Sequence, residues 1–583
     1  MRAQSGPDGR LGLQRAATEP SPVLPASGAF HPSPAGALAG IGSAAPPARG
    51  PVRPASRNEA EILAPARQRQ SILRHPWALL LAPAWFVLAA LLLRAPSYIP
   101  SVIDPDEGLY ILQAREWLRG GWPYVAVWDM HPVGAPALIA GALAVFGQTI
   151  LAVRLLGALA VAATAFALYG LVRAAGGPRL LGLGAGLLYV GSSVMLGGLA
   201  TNTEILFAPF VVAAMALGVR AAARLVREGA PPTWTQVAAA GLAIGLALTI
   251  KQVVVPEGCL VFALLAGPAW WRGVLPTGRA LAMAAAYAAL CAAPTAALGL
   301  AYAARGEFGA FVEGGILAPL RYAADPIEAV VAVRIVVGTT ATLLLPFALA
   351  AAALAPRRGL RAEPRHGAAA QAAGGAVLTR IAAVWLAVAT IAVALPGKFI
   401  LHYFLIWLPP LSLLAALGAR RLVHGVPLGR GALAFTGLLG AVALNAAASA
   451  AAPGLLYGLG LREADPPRKV AALIATELPP GEPIYVVNFH PVTYFLASAG
   501  LPTRFVFPDH LVGTVGGLTG SEADAELARV LASRPRFIVL DRGQWDDLRP
   551  EAAAMVSAAL QASYTLFGTV PAEHGMVEVW RRR

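Results

Sequence analysis

Long apolar runs separated by short polar turns dominate the chain between residues 77 and 452. Runs of this length match the thickness of the bilayer interior and therefore predict membrane-spanning helices. About eleven such segments are predicted, at residues 77–94, 150–172, 179–198, 205–221, 235–250, 252–266, 280–302, 329–354, 380–395, 400–418 and 432–452. We expect a polytopic α-helical membrane protein.

One further apolar run, residues 135–147, is too short to cross a bilayer and is expected to lie at the membrane interface as a helix. With this choice, the arginine-rich loops all fall on the side of the membrane opposite to residues 95–149 and to the tail after residue 453. These loops carry Arg173 and Arg179; Arg220, Arg224 and Arg227; Arg272 and Arg279; Arg357, Arg358, Arg361 and Arg365; and Arg420, Arg421 and Arg430. Since cytoplasmic loops are enriched in Lys and Arg, we predict a multi-pass protein of the inner (plasma) membrane whose first loop and C-terminal tail are extracytoplasmic.

The two ends of the chain differ from its apolar centre, the membrane domain predicted at residues 76–455. Residues 1–75 are rich in Pro, Ala, Gly, Ser and Arg without apolar periodicity, which predicts a disordered cytoplasmic tail. From residue 465 to residue 583, strand-like runs alternate with helical patterns, which predicts a small soluble α/β domain. The strand-like runs are 483–488, 503–507, 536–540 and 575–580, and the helical patterns are 466–478, 491–499 and 521–533.

Composition agrees with a membrane protein and gives no support for nucleic-acid binding or for cysteine-based disulfide or metal sites. The chain is 57% hydrophobic and 13% charged, and its mean hydropathy is +0.63. Its net charge of +14 does not require nucleic acid as a partner, because excess Lys and Arg are expected in cytoplasmic loops. The two cysteines, Cys259 and Cys291, lie inside apolar runs and indicate neither a disulfide nor a metal site.

An acidic stretch, Asp104-Pro105-Asp106-Glu107, follows the first apolar run. Asp104 suits the N-cap of a helix over 105–119, Pro105 suits its first position, and Glu107 stands where the acid of a capping box belongs. Capping leaves Asp106 unexplained. A carboxylate beside a helix N-terminus at the membrane surface stays ionised and can act as a base.

Further ionisable and polar residues fall on the same predicted outer face. They are Asp129, His131, Thr201, Asn202, Thr203, Glu204, Lys251, Arg321, Tyr322, Lys398 and His402. Taken singly, each has a structural explanation: Glu204 as a capping acid, Lys251 and Lys398 as snorkelling side chains, and His402 as an interfacial histidine. Lys398 and His402 are four residues apart and are expected to share a helix face if that helix begins early. Taken together, acids and bases on one face favour a site.

Several of these segments resemble the GT-C glycosyltransferases, and in particular their protein O-mannosyltransferase and aminoarabinose-transferase group. The resemblance covers residues 77–420 and rests on DPDEGLY, the GGWPY break, HPVGAPAL, AVRLLGALA, TNTEILFAPF, GLALTIKQ and HYFLIWLPPLSLLAALG. It implies a GT-C-like fold with interfacial helices in the first outer loop. It also implies an enzyme that moves a sugar, hexose or pentose, from a polyprenyl-phosphate donor to a lipid or glycan acceptor at the outer leaflet.

The resemblance also implies roles for individual residues. Asp106 is similar to the family's general base, Glu107 is expected to support it, and Glu204 stands where the family carries a second acid. The cations expected to contact the donor phosphate are Lys251, Arg321, Lys398 and His402. Asp129 and His131 are assigned to the donor and acceptor loop, although His131 stands where aminoarabinose transferases have lysine. Gln252 likewise replaces the glycine that follows the family's turn lysine.

Chemistry supports these roles and leaves alternatives open. A sugar hydroxyl is a weak nucleophile and needs a base, whereas a departing lipid phosphate needs cations. No organic cofactor is implied; a divalent cation held by Asp104 or Asp106 is an open alternative to the metal-free site that we favour. The rival functions are a transporter or flippase of a lipid-linked sugar, and a non-catalytic membrane protein whose outer domain binds a ligand.

Overall fold

The computed structural model describes residues 77–355, 368–423, 465–513 and 523–583, with isolated positions between 430 and 444. Contacts place these described residues in one compact unit. The predicted tail over residues 1–75 and most of the predicted span over 432–452 lie outside the described residues.

The first part of the chain places two helices within residues 95–149, the segment predicted as the first outer loop. The elements are α1 (Trp77–Leu93), a 3-10 helix (Ala95–Tyr98), α2 (Pro105–Leu118), α3 (Gly134–Phe146), α4 (Ile150–Ala174), α5 (Arg179–Ser192), α6 (Thr203–Glu228) and α7 (Trp234–Leu248). The short apolar run over 135–147 therefore forms α3, which is only 13 residues long. Helix α4 packs against α1, α5 and α6, and these helices begin the main hydrophobic core.

The central and C-terminal membrane helices complete this core. They are a 3-10 turn (Gln252–Val254), α8 (Val255–Trp271), α9 (Thr277–Ala304), α10 (Phe308–Val312), a π-helical turn (Glu313–Leu317), α11 (Ala318–Ala323), α12 (Ala329–Thr342), α13 (Leu344–Leu354), α14 (Ala368–Ala394), a 3-10 helix (Leu401–Trp407) and α15 (Leu408–Leu422). Helix α15 is almost wholly buried between α5, α13 and α14.

Six helical segments of the described chain are long and apolar enough to cross a membrane, or seven if the bent pair α12–α13 is one span. The two helices of that pair meet at 81°. Helices α5 and α7 and residues 82–93 of α1 are apolar but shorter than a bilayer requires. The protein is thus a multi-pass helical membrane protein, and the predicted number of about eleven spans is not confirmed.

The C-terminal region forms a mixed sheet with helices on both faces. Its elements are α16 (Pro466–Ala475), β1 (Tyr485–Val486), α17 (Val492–Leu496), α18 (Pro508–Leu511), α19 (Ala523–Ala532), β2 (Phe537–Asp541), a 3-10 helix (Arg542–Asp547), α20 (Pro550–Ser563), β3 (Tyr564–Pro571) and β4 (Met576–Arg582). The strand order is β1-β2-β4-β3, with β1 parallel to β2 and the other pairs antiparallel. The predicted α/β architecture is confirmed, but β3 and α20 were not predicted.

One predicted strand, residues 503–507, is wrong. Instead of pairing in the sheet, this segment contacts the first outer loop: the Trp128 amide donates to the Arg504 carbonyl at 2.9 Å, and the Trp128 and Phe505 rings pack 5.8 Å apart. Val506 packs in the cluster that joins the sheet to Val127, so the apolar run is buried between the sheet domain and that loop without pairing as a strand.

The sheet and the first outer loop share a hydrophobic core. Leu109 and Leu112 of α2 and Val127 pack in one cluster with α16, α17 and the strands. Arg115 of α2 also donates to the Tyr494 carbonyl at 3.1 Å. The C-terminal domain therefore supports the helix that carries the acidic stretch.

Candidate active site

The acidic stretch begins α2, as predicted, but its two capping residues behave differently. The Asp104 carboxylate accepts a hydrogen bond from the Asp106 amide at 3.1 Å, and Pro105 follows at the first helical position. The prediction that Asp104 is the N-cap is confirmed. The capping-box interpretation of Glu107 is wrong, because its side chain turns away from the helix end and is 1% exposed.

Glu107 is instead held by a buried cation and a backbone amide. Arg154 of α4 donates to it, with N–O distances of 2.5 and 2.7 Å to its two oxygens, and the Thr201 amide donates at 2.9 Å. Burial raises the pKa of Glu107, and Arg154 and Thr201 oppose that effect. Glu107 thereby ties the acidic stretch to the turn that precedes Glu204.

Two further acid–base pairs converge near this helix end from distant parts of the chain. Lys251 Nζ lies 2.6 Å from Glu204 Oε1, and His402 Nδ1 lies 2.8 Å from Asp104 Oδ2. The Lys251 ammonium group also sits 4.0 Å from the centre of the Tyr403 ring. Although burial opposes ionisation of Asp104, its hydrogen bond and charge interaction with His402 prevail and lower its pKa.

Asp106 differs from its acidic neighbours because its carboxylate has no hydrogen bond or ion pair within the described residues. Burial, followed by repulsion from Asp104, raises the pKa of Asp106 to about 6. The charges of His402 and His131 partly offset this rise in the pKa. A half-buried, unpaired carboxylate with a pKa near neutrality suits a general base.

Asp129 and His131, the two residues predicted to belong to the donor and acceptor loop, form a pair near Asp106. His131 Nδ1 lies 3.1 Å from Asp129 Oδ1, and the His131 ring packs edge-on against Tyr110 at 5.8 Å. The Tyr124 hydroxyl donates to the His131 carbonyl at 2.9 Å. Asp129 is buried, and its second oxygen has no partner.

Of the predicted phosphate-binding cations, Arg321 does not join this cluster, and Lys398 borders it, with its ammonium nitrogen 4.8 Å from the centre of the Tyr322 ring. Arg321 lies on α11 and pairs with Glu313, and both side chains are nearly half exposed. Lys398 lies in the loop before the 3-10 helix over Leu401–Trp407, and its ammonium group donates to the Asp325 carboxylate. Lys398 and His402 do not share a helix face, because the early helix start on which that prediction depended is absent: the chain turns at Phe399 (φ 50°) and the 3-10 helix begins at Leu401.

Within the described residues, no three His, Cys, Asp or Glu side chains are grouped as metal ligands. Each acid near α2 either pairs with a cationic side chain or, like Asp106, has no partner among the described residues. A hard divalent ion needs several oxygen ligands at once. The geometry therefore offers no ready-made divalent-cation site in the described part of the chain.

Comparisons with known proteins agree with this architecture. Residues 130–298 match the family model described as dolichyl-phosphate-mannose-protein mannosyltransferase. The structure of ArnT from Cupriavidus metallidurans bound to undecaprenyl phosphate matches with a TM-score of 0.53 at 17% identity, over 86% of this chain and 98% of ArnT. The apo structure of the same protein matches with a TM-score of 0.51 at 16% identity, over 86% and 97% of the two chains. No curated protein sequence matches this chain.

This chain has the fold of the GT-C membrane glycosyltransferases. The resemblance predicted from the acidic loop and the later motifs is confirmed at that level. The matched family region contains His131, Glu204 and Lys251 and begins after Asp106.

The fold also brings to this cluster Tyr322, one of the polar residues predicted on the outer face, and three residues that were not predicted, Tyr403, Arg94 and Arg154. Tyr322 and Tyr403 interact through their hydroxyl groups, and both lie within electrostatic range of Asp106. Arg94 is fully buried and donates to the carbonyls of residues 198, 199 and 200, with distances of 2.5, 2.9 and 3.1 Å. Arg94 and Arg154 were recognisable in the sequence as arginines within or next to apolar runs, where a charge needs a partner.

Proposed function

We propose that this chain transfers a sugar from a polyprenyl-phosphate donor to a lipid or glycan acceptor, with Asp106 as general base. The observation that carries this proposal is the contrast among four neighbouring acids. Asp104, Glu107 and Glu204 each have a cationic partner within 2.8 Å, whereas Asp106 has none in the described part of the chain. Only Asp106 is free to accept a proton from a substrate.

The chemistry requires a base on one side of the anomeric carbon and cations on the other. As the acceptor hydroxyl attacks, its proton passes to the Asp106 carboxylate, and the bond from the anomeric carbon to the phosphate oxygen breaks. The departing lipid phosphate carries its negative charge without needing a proton. Direct displacement of this kind inverts the anomeric configuration, so a retained configuration in the product would contradict it.

Lys251 and His402 are the cations best placed to stabilise the departing phosphate. Glu204 occupies one of the three N–H donors of Lys251, and Asp104 faces only Nδ1 of His402. Each cation keeps donor capacity while its carboxylate partner holds it in place. A preorganised donor of this kind stabilises developing charge without rearrangement during the reaction.

The fold and the lipid in the ArnT structure support the choice of donor. ArnT was solved with undecaprenyl phosphate bound, and this chain shares its fold over most of its length. Arginine-rich loops opposite the acidic loop support placing the reaction on the outer face of the inner membrane. The C-terminal domain, which packs on α2, is then extracytoplasmic and shapes the acceptor side.

Transfer in proteoliposomes tests this proposal. Purified full-length protein is supplied with radiolabelled polyprenyl-phosphate sugars and membrane lipid acceptors, and products are identified by mass spectrometry. We expect transfer by the wild type and at least a hundredfold loss in Asp106→Asn, because a positioned general base contributes about 10²–10⁴-fold. Asp546→Asn, at an exposed position of the C-terminal domain, is the matched control. Transbilayer movement of the donor without product would instead indicate a flippase.

A further inference from the structure

A polar cavity lies at the other end of α6 from Glu204. It has a volume of about 480 Å³ and is lined by Leu217, Arg220, Arg224, Arg227, Glu228, Thr233, Thr235 and Gln236. Since the helix rises 1.5 Å per residue, Arg227 is about 35 Å from Glu204 along the helix axis. The cavity therefore opens at the opposite membrane surface from the candidate active site.

The cavity is strongly basic, and most of its charge is uncompensated. Three guanidinium groups and one carboxylate line it, which leaves a net charge of +2. Arg224 Nε lies 2.9 Å from Glu228 Oε2, whereas Arg220 and Arg227 have no hydrogen bond or ion pair within the described residues. Because residues 220, 224 and 227 are spaced by four and three, they project from one face of α6.

Apolar side chains lie in and beside this cavity. Leu217 lines it, and Trp234, the first residue of α7 between the lining residues Thr233 and Thr235, is 45% exposed. Tryptophan is enriched where lipid headgroups meet acyl chains. Exposed apolar residues beside unpaired arginines match a lipid, which has a charged head and an apolar tail, better than a soluble anion.

We propose that this cavity binds the phosphate headgroup of an anionic membrane lipid in the leaflet opposite to the candidate active site. Arg220 and Arg227 donate to the phosphate oxygens, and Leu217 and Trp234 contact the first carbons of the acyl chains. Guanidinium groups suit this role because they bind phosphate through paired N–H donors. Basic pockets between membrane helices are known to bind such headgroups. This site is independent of the proposed transfer reaction.

Lipid binding to delipidated, full-length protein tests the proposal. Phosphatidylglycerol, phosphatidylcholine and inorganic phosphate are added separately, and native mass spectrometry and thermal unfolding report binding. We expect the wild type to retain phosphatidylglycerol and to unfold at a higher temperature, with little effect of the other two. Arg220→Gln/Arg227→Gln should bind phosphatidylglycerol about 10- to 30-fold more weakly, because each basic residue contributes substantially to anionic-lipid affinity. Arg272→Gln/Arg279→Gln, in another arginine-bearing loop, is the matched control and should keep wild-type binding.

Each other outcome overturns the proposal. Equal retention of phosphatidylcholine would mean that the lipid is held by apolar contacts alone. An equal shift with inorganic phosphate would assign the site to a soluble anion. Wild-type protein that retains no phosphatidylglycerol excludes the site even if the double variant fails to fold, and unchanged binding in a folded double variant excludes the two arginines.

Discussion

Arg154 Nη1 lies 2.5 Å from Glu107 Oε2, and both side chains are shielded from solvent. This pair joins α4 to the first turn of α2, one residue after Asp106. A buried ion pair adds little net stability, but removal of one partner leaves an uncompensated charge. The main role of this ion pair is therefore to position the acidic stretch.

Breaking this pair should destabilise the protein strongly. We expect Arg154→Met to lower the free energy of unfolding by about 3–5 kcal/mol. The double variant Glu107→Leu/Arg154→Met should recover much of this loss, because no buried charge remains. Thermal or denaturant unfolding measures both. The control, Arg542→Met, breaks a pair of partly exposed side chains and should cost about 1 kcal/mol or less. If the single and double variants are equally unstable, the buried charge is not the cause.

The rate of transfer should follow the ionisation of Asp106. Its pKa is about 6, because burial and the charge of Asp104 disfavour the carboxylate. The base is unprotonated above this pH, so kcat/KM should rise through pH 6 and level off above it. Asp104→Asn removes the repulsion and should shift the rising limb to lower pH. A limb that stays in place in this variant would show that another group controls it.

Lys251 should have separable roles in stability and in catalysis. Lys251→Met leaves Glu204 buried without its cation and should destabilise by about 3–5 kcal/mol. The double variant Lys251→Met/Glu204→Gln should regain stability. It should nevertheless stay impaired in transfer if Lys251 contacts the donor phosphate, and unfolding and kinetic measurements on the same preparations distinguish the two effects. Wild-type kinetics in a stable double variant would assign Lys251 a purely structural role.

Contact between α2 and the C-terminal domain should be needed for activity. A Cβ atom at Gly108 would lie 2.9 Å from the Val492 backbone nitrogen, closer than real contacts allow. We expect Gly108→Ala to cost about 1–3 kcal/mol and to reduce transfer, because α2 must shift away from α17. The control is Gly141→Ala in α3, where a Cβ meets no atom within 4 Å and should stabilise the helix by up to about 1 kcal/mol. Equal behaviour of the two variants would argue against a tight interface.

Local patterns in the sequence were enough to locate α2, its Asp104 cap and the short helix α3, because apolar length and helix-capping chemistry act within a few residues of the chain. The GT-C fold was indicated instead by the resemblance of several motifs to that family. Local patterns did not reveal that 503–507 contacts Trp128 rather than forming a strand. A short apolar run indicates that a segment is buried, without naming the partner that buries it.

The sequence by itself determined that the chain enters the membrane many times and presents acids and cations on its predicted outer loops. Only the tertiary structure decided which acid meets which cation. Asp104 meets His402 and Glu204 meets Lys251 across separations of 298 and 47 residues, while Arg321 and Lys398 pair elsewhere. The physical reason is that a buried charge is costly unless an opposite charge lies next to it in space. That neighbour is set by how distant helices pack, so the isolation of Asp106 is a property of the fold.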